Sequence, residues 1–305
     1  MVARFLQAGK SPAARPLDVV AASVVVVLCL SWGFNQVAVK LALPEIPPLI
    51  QSTVRGAGAA ILVALWAKIR GVSLTVRDGT LMPGVVAGLL FGIEFILVYR
   101  GLLFTTATRA VLFIYMAPFF VALGARWLLP GEHLGAAQWL GLALSFVGVA
   151  VAFGVPQPAT DGRALLGDVM MIGAAAAWAA TTLVIKATAL ARAPQEKTML
   201  YQLVVSTPLL AFAAIVLGEK MTTKPSLLAL GSLAYQTIWV VAITFVVWFA
   251  LIVRYSASRL SAFTFLTPLF GVAAGHLVLG EPITSAFAAA VALVAAGLLL
   301  VNRPR

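Results

Sequence analysis

The chain has one cysteine, two histidines and ten acidic residues among 305 positions, and each scarcity excludes something. A single cysteine, Cys29, cannot form an intramolecular disulfide; inside an apolar run it is expected to be a small packing residue. His133 and His276 lie far apart in the chain and supply no metal set. No two carboxylates share an apolar run, so the constellation that a magnesium-dependent lipid enzyme needs is missing. Gly9-Lys10-Ser11 resembles part of a phosphate loop, but Arg4 stands where its first glycine should be, so no ATPase motif is present. These absences predict no enzyme, no metal and no cofactor.

Charge is scarce too. Only 10% of residues are charged against 62% hydrophobic, and the mean hydropathy is +1.05. What fills the chain instead is a series of apolar runs of about 20 residues, each long enough to cross a bilayer as a helix. Barrel strands would alternate apolar and polar residues, and no such alternation occurs. The runs predict an all-α membrane protein with ten helices, over roughly 18–42, 49–68, 80–100, 108–129, 135–154, 165–187, 198–218, 226–252, 259–279 and 283–302. The connections are short, so function is expected within the membrane.

Arg4, Lys10 and Arg15 precede the first run as in a signal peptide, but that run continues past Cys29 to about Ala42 without a small-residue cleavage site. It is expected to remain as a helix. With the N-terminus inside, 14 of the 21 basic residues fall on the cytoplasmic side, which puts both termini there. The net charge of +11 then reads as topology signal and contact with anionic lipid rather than as a nucleic-acid footprint.

The two halves overlay at an offset near 150. Asp18 falls on Asp168, and Trp32…Lys40 on Trp178…Lys186 after a small gap. Ala107-Thr108-Arg109 matches Ala257-Ser258-Arg259, Pro118 matches Pro268, and Gly131-Glu132 matches Gly280-Glu281. Five helices is an odd number, so the second copy must enter the membrane from the opposite side. Inverted repeats of this kind are a signature of secondary transporters. The expected organisation is a basic cytoplasmic tail over 1–17, a five-helix repeat over 18–154, a linker over 155–164 and a second repeat over 165–302.

On Trp32 with Lys40, Arg55, the Pro118 and Pro268 helices and the paired Gly-Glu loops, the chain resembles the drug/metabolite transporter superfamily, and within it the EamA-type ten-helix members. Amino acid exporters of the YddG type are the nearest reading. The resemblance spans about 18–302 and implies export of small metabolites from a bacterial cytoplasm, across the inner membrane, through a central cavity. Proton-coupled export of drugs or organic cations is the alternative. The partners implied are a small-molecule substrate and membrane lipids, in a monomer or a homodimer.

Glu94 is the only acid deep inside a predicted span and Arg55 the only base at similar depth, each about 9 Å below the outer helix end at 1.5 Å per residue. An unpartnered charge in lipid is costly, so each needs a partner or a wet cavity. Facing one another they would receive a zwitterion, Arg55 taking the carboxylate and Glu94 the ammonium, with Glu94 also the candidate for proton coupling. A structural ion pair, or an Arg55 that snorkels to the surface, is the alternative. Gly84, Gly88 and Gly92 read as a packing stripe. Trp32, Tyr99, Tyr115, Trp178 and Trp239 are candidates to line the cavity, with Asn35, Gln36, Thr182 and Gln236 beside them; core packing and interhelical hydrogen bonds are their plainer roles. Pro118 and Pro268, near the centres of helices four and nine, are candidate gating hinges, or static kinks.

Overall fold

The computed structural model describes residues 17–74, 78–154, 162–221, 223–283 and 285–303. The basic tail, Arg77, Arg305 and most of the expected linker lie outside them. Among the described residues there is no strand, and nine helices are long and apolar enough to cross a membrane. They are α1 (Val19–Ala42), α2 (Pro48–Ile69), α3 (Leu81–Gly101), α4 (Thr108–Leu128), α5 (Ala136–Phe153), α6 (Gly162–Ala187), α7 (Gln195–Val216), α8 (Leu227–Arg254) and α9 (Ala257–Leu279). A shorter apolar helix, α10 (Phe287–Val301), completes the set. It begins four residues later than expected: Ile283 is non-helical and Ser285-Ala286 form a turn before it.

The helices start where short polar side chains can satisfy free amides. Asp18 accepts from Ala21 N at 2.8 Å, Thr106 from Arg109 N at 3.3 Å and Ser226 from Ala229 N at 3.2 Å. Pro48 opens α2 at a position whose N–H would have no helical partner anyway.

Two spans are interrupted at equivalent places. In α4 the helix stops at Ile114 and resumes at Ala117, and in α9 it stops at Phe263 and resumes at Leu266. Pro118 is the second residue of its resumed helix and Pro268 the third, so the donor missing from the ring leaves the carbonyl of Ile114 or Thr264 without its helical partner. Thr264 O is taken instead by Thr267 N at 2.9 Å. The prolines therefore break these helices rather than bend them. A third irregularity has no counterpart in the other half: Tyr235–Thr244 of α8 is a π-helix, with hydrogen bonds to the fifth residue back.

Packing repeats between the halves. α3 lies against α6 and α7, as α8 lies against α1 and α2; α1 packs on α9 as α6 packs on α4. The pairs α2–α7 and α5–α10 are their own counterparts. Glycines allow the closest approaches. A Cβ on Gly141 would stand 2.6 Å from Gly297 O, and one on Gly33 2.7 Å from Gly271 N. The Gly84, Gly88 and Gly92 stripe receives Tyr201, Val205 and Leu209 of α7, as its spacing predicts.

Helix ends gather on two faces. On one, Lys40 reaches Glu281, and the Glu219 carboxylate accepts from Leu49 N and Ile50 N at 2.9 and 3.1 Å. Burial raises the pKa of that carboxyl, although these amides oppose the shift. On the other face Lys186 reaches Glu132, and Lys197 lies 2.9 Å from Asp78. We refer to them as the Lys40 face and the Lys186 face.

Candidate transport site

The site is built outward from Arg55 on α2. Its side chain is buried, and its guanidinium carbon lies 4.6 Å from the centre of the Phe95 ring of α3. Among the described residues no hydrogen bond or carboxylate satisfies it. Beside it, Ser52 Oγ donates to Tyr99 OH at 2.9 Å. Ser52, Arg55, Phe91, Phe95 and Ser206 line a small enclosed cavity of about 10 Å³, roughly the space of one water. One turn nearer the Lys40 face on α2, Gln51 accepts from Gln236 Nε2 at 3.1 Å, while Gln236 Oε1 is buried and unbonded.

Glu94 is half-buried on the same helix as Phe95 but on another face. It stands seven residues, about two turns, before Gly101, which packs against Gly167 and Met171 of α6. Glu94 therefore belongs to the α3–α6 side, and no ion pair with N–O within 4.0 Å joins it to Arg55 among the described residues.

The aromatic residues fall into two groups. Tyr99, Phe95, Phe91, Phe245, Trp32 and Trp248 form a continuous series of ring contacts, with centroid separations between 5.0 and 6.1 Å. Trp32 Nε1 donates to Thr244 Oγ1 at 2.9 Å, which ties the series to the end of the π-helix. The second group surrounds the α4 break: Tyr115 lies 6.5 Å from Trp178 and 6.3 Å from Phe265, and Phe265 contacts Phe119 and Phe146. Thr182 is buried on α6. The phenylalanines of the first series were absent from the sequence-based candidates; the i, i+4, i+8 spacing of Phe91, Phe95 and Tyr99 is the signal that marks them.

Other candidates lie apart from Arg55. Trp239 donates from Nε1 to Ser31 Oγ at 2.9 Å, and Tyr235 OH donates to Ser31 O at 3.0 Å. Gln36 is exposed beside Gly271 of α9, whereas Asn35 has a buried, unbonded Oδ1. A larger apolar cavity of about 360 Å³ opens between α1, α8 and α9, lined by Leu30, Phe34, Tyr235, Phe270 and Leu277. Cys29, assigned a packing role by the sequence, is fully buried and also donates to the carbonyl of Phe263 (S–O 3.3 Å) at the α9 break. Among the described residues no His, Cys, Asp or Glu group is arranged to hold a metal ion.

A bundle of apolar membrane-length helices, with broken helices and buried polar residues in its middle, is the architecture of a polytopic membrane transporter. The sequence model of the EamA-like transporter family matches residues 20–154 and again residues 165–303, and the chain belongs to that family. An uncharacterised transporter of Synechocystis sp. is 29% identical over 300 residues, covering 89% of this chain and 86% of its own. A probable amino-acid metabolite efflux pump of Salmonella typhimurium is 28% identical over 280 residues, covering 88% and 90%. A crystal structure with 20% sequence identity superposes with a TM-score of 0.79 over 92% of this chain and 96% of its own, which establishes the shared fold.

Proposed function

We propose that this transporter exports small amphipathic metabolites, foremost amino acids, from the cytoplasm across the bacterial inner membrane by alternating access. The observation that carries the reading is Arg55, a buried guanidinium that pairs with no carboxylate among the described residues, held against an aromatic ring at a small cavity. A fixed positive charge without a counterion is placed to receive a carboxylate. The aromatic series from Tyr99 to Trp32 offers faces for a side chain or an ammonium group, and Glu94 is the acid available for the amine or for a coupling proton. Relatives named as amino-acid metabolite efflux pumps support the same substrate class.

The transport geometry we propose is two inverted five-helix repeats, 18–154 and 165–302, with both termini cytoplasmic. The repeated packing of α1–α5 and α6–α10 supports it, as do the odd helix number per half and the positive-inside count. The breaks before Pro118 and Pro268 serve as hinges of the two repeats.

Uptake of radiolabelled amino acids and amines into proteoliposomes, with and without a pH gradient, tests the reading. Amino acids are expected to exchange against unlabelled substrate, and Arg55→Ala is expected to abolish exchange of zwitterions. If only organic cations move, and Arg55→Ala leaves them moving, the exporter is a cation transporter relying on Glu94 and the amino acid reading fails.

A further inference from the structure

Two buried amides stand one turn from Arg55. Gln51 lies four residues before it on α2, on the same stripe of that helix. Its Nε2 donates to the carbonyl of Ile46 at 2.8 Å, so its Oε1 is the atom left for the neighbouring helix. Gln236 of α8 meets that oxygen with its own Nε2 at 3.1 Å. A backbone carbonyl can only accept, so the direction of the whole series is fixed from Ile46 outward. Gln236 cannot turn its amide over without setting oxygen against oxygen. Its Oε1 is therefore held away from Gln51 and, on a side chain only 1% exposed, has no donor among the described residues. Gln202 of α7 also has a buried, unbonded Oε1, but its amide is bonded within its own helix, to Thr198 O at 3.3 Å.

The π-helix brings Gln236 to this place. Val241, five residues further on, lines the cavity at Arg55 together with Ser52, Phe91 and Ser206. In an α-helix, residues five apart point about 140° away from one another. Where hydrogen bonds run to the fifth residue they stand one above the other, so Gln236 and Val241 both meet α2. Arg55 and Gln236 thus form a complementary set: a buried donor without an acceptor and a buried acceptor without a donor, about 6 Å apart along α2. Each is costly to leave unmade, and packing accounts for neither.

We propose that Gln236 Oε1 is the acceptor for the substrate's amine, so that Gln236 and Arg55 together read the two ends of a zwitterion. The inference rests on the amino acid reading above, and it leaves Glu94, on the α3–α6 side, to the coupling proton. An amino acid carries its carboxylate and ammonium on one carbon, and the two groups bridge residues one turn apart. Both satisfy unmade bonds, while the Ile46–Gln51–Gln236 series stays intact. A neutral amide recognises an N–H rather than a positive charge. Primary amines therefore fit, and a quaternary ammonium, with no N–H to give, does not. A site that hydrogen-bonds its ligand also rejects the analogue lacking the donor, because the buried acceptor is then left unpaired.

Purified full-length protein in detergent is titrated with each of the twenty amino acids, and affinities are read from the ligand-dependent thermal midpoint. The tightest is compared with its amine-free acid and its betaine; for phenylalanine these are 3-phenylpropionate and N,N,N-trimethylphenylalanine. The wild type is expected to prefer the amino acid to the amine-free acid by about tenfold or more, and to bind the betaine no better than that acid. Gln236→Met keeps the length of the side chain and removes its carbonyl. It is expected to bring this preference close to one while leaving affinity for the amine-free acid unchanged. Gln51→Met breaks the same amide pair but keeps Gln236 Oε1, and is expected to retain most of the preference. An amide pair that only joins two helices would lower the midpoint in both variants and leave the preference intact in both, which overturns the assignment. So does a preference lost in Glu94→Gln or Gln202→Met but kept in Gln236→Met, or a betaine bound as tightly as the amino acid. Should Gln236→Met fail to fold, Gln236→Asn, which draws the carbonyl back by one methylene, carries the same expectation. If no amino acid binds the wild type, the substrate reading falls and this assignment with it. If amino acids bind and the preference ignores Gln236, the assignment alone falls.

Discussion

Glu132 holds Lys186 with one carboxylate oxygen and the first turn of α9 with the other, so a loop residue between α4 and α5 orders the meeting of three elements. Removing one partner of such a buried pair leaves an uncompensated charge and costs about 3–5 kcal/mol. Lys186→Met alone and Glu132→Leu alone are both expected to lower the thermal midpoint in detergent markedly. The double replacement is expected to recover much of the loss, because no charge is then left buried. A double variant no more stable than its parents would refute the pairing energetics.

The α5–α10 contact depends on Gly141 meeting Gly297. A leucine at Gly141 collides with backbone atoms of α10, and overpacking of this kind costs roughly 1–3 kcal/mol or more. Gly141→Leu is expected to reduce the monodisperse fraction in size-exclusion chromatography. Gly231→Ala is the control: a Cβ there meets nothing within 4 Å, and the helix gains up to about 1 kcal/mol in propensity. A normal profile for Gly141→Leu would show that the two helices do not approach this closely.

Asp78 lies outside the membrane spans, and its pKa is lowered to about 2, chiefly by the Thr80 hydroxyl and then by Lys197. A carboxyl depressed in the folded state stabilises the fold above its unfolded value near 3.8, and that contribution is lost as pH falls through about 2. Wild-type protein should therefore lose thermal stability over this acid window more steeply than Asp78→Asn. Parallel stability–pH curves for the two would show that the Thr80 and Lys197 contacts do not act on the carboxyl.

Cys29 is fully buried against the α9 break. A water-soluble maleimide is expected to leave it unmodified in the folded protein and to label it fully in denaturing detergent. Cys29→Ala is expected to fold and to leave transport intact, since only one weak S–H donor is lost. Rapid native labelling would mean that water reaches the middle of the bundle at α9.

Much of the architecture was legible in the sequence because membrane solvation simplifies the reading. Every backbone polar group in lipid must be satisfied within its own segment, so an apolar run of sufficient length becomes a helix whatever its neighbours. The ten predicted spans accordingly fall on the ten helices, and the interruptions of α4 and α9 lie within one turn before Pro118 and Pro268. The α3 glycine stripe also packs as its spacing implied. The π-helix of α8 was not legible: Tyr235–Thr244 contains no proline or glycine, and its widened turn carries Gln236, bonded to Gln51, and Thr244, bonded to Trp32. Nor was the composition of the site. Arg55 and Glu94 share a depth by counting, but depth says nothing about azimuth, and the fold turns Glu94 toward α6 while Arg55 faces Phe95.

The sequence by itself determined that the chain is a membrane bundle of two similar halves, because hydrophobic length and the spacing of its few polar residues are local properties of the chain. Only the tertiary structure decided which repeated residues do equivalent work. Lys40 and Lys186 read as the same residue at two helix ends, yet one pairs with its glutamate in the open and the other is enclosed beneath α9. Burial depends on how non-neighbouring helices close over a side chain, and no local pattern in the sequence carries that information.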